Sequence, residues 1–197
     1  MCCIITSPDQ AHRPTLQTLR LVAEQNPHGS GLAWVERGAV YYLKGLGPKA
    51  ILKDLEEVPG PMIIHFRIAT VGGTHKSLCH PFPIRPRPAA KLYGSAPAVL
   101  FQNGTWSAWQ EYMDVTGLEL SGPISDTRVL AAAVHQRGFD WLAQVQSRFA
   151  MLTAENEIQR LGDWHLHRDG CHYSNTYWMP RISGRSLVSE AMACFGE

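Results

Sequence analysis

Residue 2 is a cysteine small enough to let the initiator Met1 be trimmed, which would leave a thiol and a free α-amine on one residue. A neutral α-amine, with an ordinary pKa of about 7.7 to 8.0, can take the thiol proton directly or through water. Cys2 would then carry nucleophile and base together and need no separate catalytic histidine. Attack on an amide carbonyl also requires donors aimed at the developing oxyanion, and Asn103 with the backbone N–H of Gly104 could supply two of them. Recognition of a free amino-acid end calls for a cation to hold the carboxylate and an anion to hold the ammonium. Arg67 and Asp126 are the pair that suits.

These residues stand where regular elements should begin or end. Cys2–Thr6 reads as a buried strand closed by the turn at Ser7-Pro8-Asp9. Arg67 follows the β-rich run 62–66, and Asn103-Gly104 follows a second run at 99–101. Ser125-Asp126 opens an apolar-periodic segment through Val129, Leu130, Ala133 and Val134, as in a capped helix that stops at Gly138. A helix is expected over 14–25, a hairpin over 32–43 with its turn at Glu36-Arg37-Gly38-Ala39, and an amphipathic helix over 48–58. Residues 80–97 carry five prolines and read as an irregular surface excursion that could cover a pocket. The stretches 149–153, 157–161, 164–167 and 173–178 suggest more strands. Strands and hairpins interleaved with a few helices favour an α+β layered domain with antiparallel pairing.

The chain of 197 residues fits one domain spanning 1–197. Its formal charge of +1 creates no broad field for nucleic acid or an anionic membrane surface. No apolar run reaches the roughly 18 to 20 residues of a membrane span, and no leader-like segment opens the chain. Cys2, Cys3, Cys79, Cys171 and Cys194 are an odd set without CxxC spacing, so a reducing, cytoplasmic setting is the simpler expectation.

The N-terminal Met-Cys, the run His65-Phe-Arg-Ile-Ala-Thr70, Cys79-His-Pro-Phe82, Gln102-Asn-Gly104 and Ser125-Asp-Thr127 together resemble the class II glutamine amidotransferases. Asn26-Pro27-His28-Gly29-Ser30-Gly31 and Tyr173-Ser174-Asn175 are similar to segments of the free-standing members. The resemblance implies an N-terminal-nucleophile hydrolase fold, a four-layer αββα sandwich of two antiparallel sheets with the substrate at one end. It implies Cys2 as nucleophile, Asn103 and Gly104 as oxyanion hole, and Arg67, Thr70 and Asp126 around the substrate, with no metal or other cofactor. Glutamine or another γ-glutamyl compound would be hydrolysed to glutamate and ammonia or an amine, and the ammonia could pass to a separate synthetase subunit. Three positions depart from the family: Cys3 where a glycine usually follows the nucleophile, Gln102 in place of a histidine, and Val71 in place of another.

Other readings stay open on the residues alone. Asn103-Gly104 also suits a type I′ hairpin turn, and Asp126 also suits a helix cap. Cys3 and Gln102 fit a catalytically inactive binding protein on the same scaffold. His165 and His167, on one face of a strand with Cys171 and His172 returning beside them, fit a metal-dependent hydrolase. His80 reads as structural, and Trp106 to Trp109 as core or a partner contact.

Overall fold

Side chains alternate between the two faces of a strand, so each β-rich run must satisfy two environments at once. The computed structural model describes residues 2–52, 55–69 and 73–180. Its strands are β1 (Cys3–Ser7), β2 (Ser30–Glu36), β3 (Ala39–Leu46), β4 (Met62–Phe66), β5 (Phe82–Pro83), β6 (Tyr93–Ala96), β7 (Ala98–Asn103), β8 (Arg148–Thr153), β9 (Ile158–Leu161), β10 (His165–Leu166) and β11 (His172–Tyr173). The α-helices are α1 (Leu16–Gln25), α2 (Trp109–Thr116) and α3 (Asp126–Arg137). Among the described residues the strands form two sheets, ordered β10-β11-β1-β4-β2-β3-β6 and β5-β7-β8-β9. Every pairing is antiparallel.

The alternation sorts the apolar residues into three packed clusters. Cys3, Ile5, Met62, Ile64 and Phe66 face outward onto Leu19, Val22 and Ala23 of α1. Their neighbours Ile4 and Ile63 face inward with Val35 and Val40, against Val99, Phe101, Ala150 and Leu152 of the other sheet. Leu100, Phe149 and Met151 face away again, onto Leu130, Ala131 and Val134 of α3. Three apolar interfaces separate four layers, so the αββα sandwich expected above is what the chain forms. Two of the three helices are started by a side chain: for α1, Thr15 Oγ1 accepts from the Thr18 N–H, and for α3, Ser125 Oγ accepts from the Arg128 N–H.

The Asn26–Gly31 motif owes its glycines to close approach. Gly29 has φ +121°, and Cβ atoms there and at Gly31 would lie 2.8 Å from Cys79 Sγ and 2.0 Å from the His80 carbonyl oxygen. The second clash is with backbone, which cannot swing aside. Gly31→Ala is expected to cost about 3 kcal/mol or to prevent folding, read as a fall in the denaturant midpoint.

Three expectations are corrected. In place of an amphipathic helix over 48–58, the described residues form 3-10 turns at Ala50–Leu52 and Leu55–Glu57. So short a segment gains little from helical cooperativity, and Ile51 and Leu55 reach the outer core without it. The excursion over 80–97 contributes β5 and β6, both at sheet edges, where Pro83 costs no internal ladder bond. Residues 173–178 form no long strand, since β11 ends at Tyr173.

Candidate active site

The register places Cys3 opposite Phe66, so the residues just before and after, Cys2 and Arg67, meet at one end of the inner layer. The Ile68 N–H donates to Cys2 Sγ at 3.3 Å, and the thiol returns a contact to the Ile68 carbonyl at 3.3 Å. The carbonyl of Cys2 accepts from Asn175 Nδ2 at 2.6 Å. Burial pushes the Cys2 thiol up, an effect opposed by the Ile68 contact and by the Arg67 charge. A resting neutral thiol therefore needs a base at hand to become a nucleophile. Cys3 points the other way, into the α1 side of the sheet, where burial raises its thiol far more. The side chain that stands where the family has glycine thus packs behind the nucleophile.

Asn103 ends β7 on the same inner face as Val99 and Phe101 and is 1% exposed. Its Nδ2 donates to Ser174 Oγ at 2.8 Å, and that hydroxyl also accepts from the Ile4 N–H at 2.8 Å. Ser174 is held in turn by its own N–H on the Ile4 carbonyl, 2.9 Å. The serine therefore ties β7 to β1 two residues from the cysteine. A primary amide has two N–H groups, so this bond sets the rotamer and leaves the other for a substrate. The chain then turns into α2, which excludes a hairpin at Asn103-Gly104. Gly104 has φ +152°, and a Cβ would sit 2.2 Å from Ser147 Oγ, so glycine alone fits.

Asp126 opens α3. One carboxylate oxygen accepts from the Thr127 N–H and the other from the Trp106 N–H, both at 2.9 Å, which joins it to the loop just past Gly104. The residue is 5% exposed and makes no ion pair among the described residues. Burial raises its carboxyl pKa, with the two backbone N–H bonds opposing. A buried carboxylate without an ion-pair partner among the described residues favours the arrival of a cation. Thr127 Oγ1 also donates to Gln102 Oε1 at 2.7 Å, so the residue in the family's histidine position fastens the start of α3 to the end of β7.

Arg67 is 4% exposed and turned under the segment that follows it, donating to the carbonyls of Gly73 at 2.7 Å and His75 at 3.3 Å. Its backbone is clasped by the Asn-Pro-x-Gly turn, through the His28 N–H to its carbonyl and its N–H to Gly29. The guanidinium is thus a fixed source of positive charge beside Cys2 and Cys79. Thr70 and Val71 lie outside the described residues.

Behind these groups lies a polar layer that the residue types alone do not reveal. Gly31 pairs with both Lys44 and His65, and His65 with Ile4, so one register row crosses four strands. The His80 ring stacks on His65 with centroids 4.1 Å apart, and His80 Nδ1 faces the Gln102 N–H at 3.4 Å. Lys44 Nζ donates to the Pro81 carbonyl at 2.9 Å and sits 3.7 Å over the Phe82 ring, its pKa pulled down to about 7 by burial. A lysine sharing strand parity with the apolar Val40 and Tyr42 was the available signal. Burial holds His65 near 3 and His80 well below the usual range, so both rings are neutral in the folded chain.

The unfolded chain protonates each ring below about pH 6.5. Because the folded values are depressed, this stability is fully present above pH 6.5 and is lost as pH falls towards 3, by about 1.4 kcal/mol per pH unit per ring. Denaturant unfolding at pH 7 and pH 5 should differ by about 4 kcal/mol, less a smaller opposing contribution from the raised Asp126. His65→Phe, which removes two unpartnered ring nitrogens, should flatten that slope by about half without loss at pH 7.

The rival histidine cluster does not assemble. His165 is exposed, His167 Nδ1 lies 3.1 Å from Asp169, and the Cys171 thiol turns to the His12 carbonyl. Among the described residues no group of three or more His, Cys, Asp or Glu side chains could hold a metal. Nor is any helix there long and apolar enough to cross a membrane.

The arrangement of layers has counterparts among solved structures. It is similar to an allosteric regulatory enzyme of purine biosynthesis, with TM-score 0.56 and 17% identity, over 88% of this chain and 41% of the other. It is also similar to glutamine phosphoribosylpyrophosphate amidotransferase from B. subtilis, with TM-score 0.53 and 18% identity, over 78% of this chain and 35% of the other. The fold is that of the N-terminal-nucleophile hydrolases. The chain spans about two-fifths or less of the length of these two proteins, and at such identity the likeness is one of fold. No family model matches the sequence, and no curated protein matches it.

Proposed function

We propose that the chain hydrolyses the side-chain amide of glutamine or a related γ-glutamyl compound, with Cys2 as an N-terminal nucleophile. The observation that carries the reading is the tie from Asn103 through Ser174 to β1, which sets an amide donor and the cysteine at one end of the inner layer. In this reading the α-amine takes the thiol proton and sulfur adds to the amide carbon. The oxyanion is met by Asn103 Nδ2–H and the Gly104 N–H, and the departing nitrogen leaves with the proton held by the amine. Water then adds to the γ-glutamyl thioester with the amine again as base, giving glutamate and the free thiol.

Arg67 would draw the substrate carboxylate, Asp126 would receive its ammonium, and Thr70 would border the same pocket. No metal or cofactor enters these steps. The released ammonia either diffuses away or passes to a separate synthetase subunit, and the setting expected for either is cytoplasmic. An inactive binding protein is the second reading, motivated by Cys3 and Gln102. Against it, Cys3 packs away from the site and Gln102 is built into the link between α3 and β7.

The test is an electrophilic glutamine analogue incubated with chain whose intact mass shows that Met1 is gone. One equivalent of adduct on the Cys2 peptide, prevented by excess glutamine, is the expected result. Labelling of Cys79 or Cys171 in its place would sink the proposal.

A further inference from the structure

The Pro-rich excursion and the connection from α2 to α3 face each other across a groove. One end, of about 520 Å³, is lined by Arg85, Arg87, Glu119 and Gln136 among others. The other, of about 450 Å³, is lined by Arg87, Glu119, Ser121 and Arg128, and the shared residues make the two continuous. Arg128 is 3% exposed, yet its guanidinium is held by backbone alone. Its Nε donates to the Pro88 carbonyl at 2.7 Å, and its Nη1 to the carbonyls of Ser121 at 2.8 Å and Pro123 at 2.7 Å. Those three acceptors orient the plane and leave Nη2 without a hydrogen bond among the described residues, at the groove wall. Arg87 is exposed and has no ion pair among the described residues, and Arg85 donates to the Ser95 carbonyl.

Three guanidiniums against one carboxylate, in a concavity, concentrate positive potential on a small volume. Pre-oriented guanidinium edges suit planar or tetrahedral oxyanions, and a groove of this size suits a metabolite better than an extended protein face. We propose that this groove binds a small phosphate- or carboxylate-bearing molecule, seated on the Nη2 edge of Arg128 and closed over by Arg87. The site is wired to the candidate active site, because Arg128 lies in the same helical turn as Asp126 and Thr127. Thr127 in turn bonds Gln102, the neighbour of Asn103. Binding should therefore steady the turn that carries Asp126. Only the catalytic consequence of that coupling rests on the proposed function.

The experiment reads binding and local exchange, with no activity assay. Inorganic phosphate, pyrophosphate and citrate are titrated calorimetrically into the full chain at constant ionic strength, the phosphate and carboxylate arms separating the two ligand chemistries. At least one should bind, Arg87→Glu should weaken it by about tenfold or more, and Glu119→Gln should tighten it severalfold. At saturation the amide protons of Trp106 and Thr127, both on Asp126, should exchange severalfold more slowly. No binding below about 10 mM, or binding indifferent to both substitutions, overturns the site. Binding without slowed exchange at those two amides overturns the coupling.

Discussion

Cys2→Ala is expected to lower the rate of glutamate release from glutamine, or from whichever γ-glutamyl amide proves the better substrate, by at least about a thousandfold. Removal of a covalent nucleophile costs on that scale or more, and what survives comes from binding and oxyanion stabilisation alone. The substitution is well suited to the purpose because the rest of the residue's role is small. Cys2 is half-buried, and among the described residues its sulfur makes only the two 3.3 Å hydrogen bonds with Ile68, so the melting temperature should move by no more than a few degrees. The clamp on its carbonyl by Asn175 does not involve the side chain. Activity within tenfold of the parent, in a chain shown by mass to begin at residue 2, would remove the nucleophile from the mechanism. Retained Met1 on an active parent chain would do the same to the base, because the Cys2 nitrogen would then be an amide.

Asn103→Ala should lower kcat by about a hundred- to a thousandfold and leave KM within a few-fold. A donor aimed at the oxyanion strengthens only as charge develops, so its loss falls on the transition state and not on substrate binding. The complication is structural, because Asn103 Nδ2 also supports Ser174, which supports Ile4. Ser174→Ala separates the two roles: it keeps the amide donor and removes the support of β1, losing both the bond that orients Asn103 and the hydroxyl acceptor of the Ile4 N–H. That variant should lose about tenfold, with a stability loss of about 1 to 2 kcal/mol by urea unfolding. Equal losses in kcat for both variants would mean that Asn103 acts through the support of β1 alone and donates nothing to the reaction.

Much of this arrangement was legible from residue order. The strands around Cys2, Arg67 and Asn103 and the helix opened by Ser125 are where period and capping put them. Local signals of that kind depend on neighbours within a few residues. The segment over 48–58 failed for the complementary reason, since its apolar residues satisfy themselves in 3-10 turns against α1's layer and local period cannot see that layer. Trp106 to Trp109 likewise divides: Trp106 packs edge-on to Trp141 at 5.9 Å, whereas Trp109 begins the exposed helix α2.

From its sequence alone this protein shows a cysteine able to become an N-terminus, a likeness spread over five short motifs, and a run of strands and hairpins that favours a layered α+β domain with antiparallel pairing. Those properties are written in residue type and spacing. What only the tertiary structure decides is partnership. It turns Cys3 away from the site, makes Ser174 the joint between Asn103 and β1, gives Gln102 to Thr127, and buries a row of Lys44, His65 and His80 beneath the end of the inner layer. Each of these pairs residues distant in the chain through register and packing, and a hydrogen bond of 3 Å between strands leaves no trace in the spacing of either one.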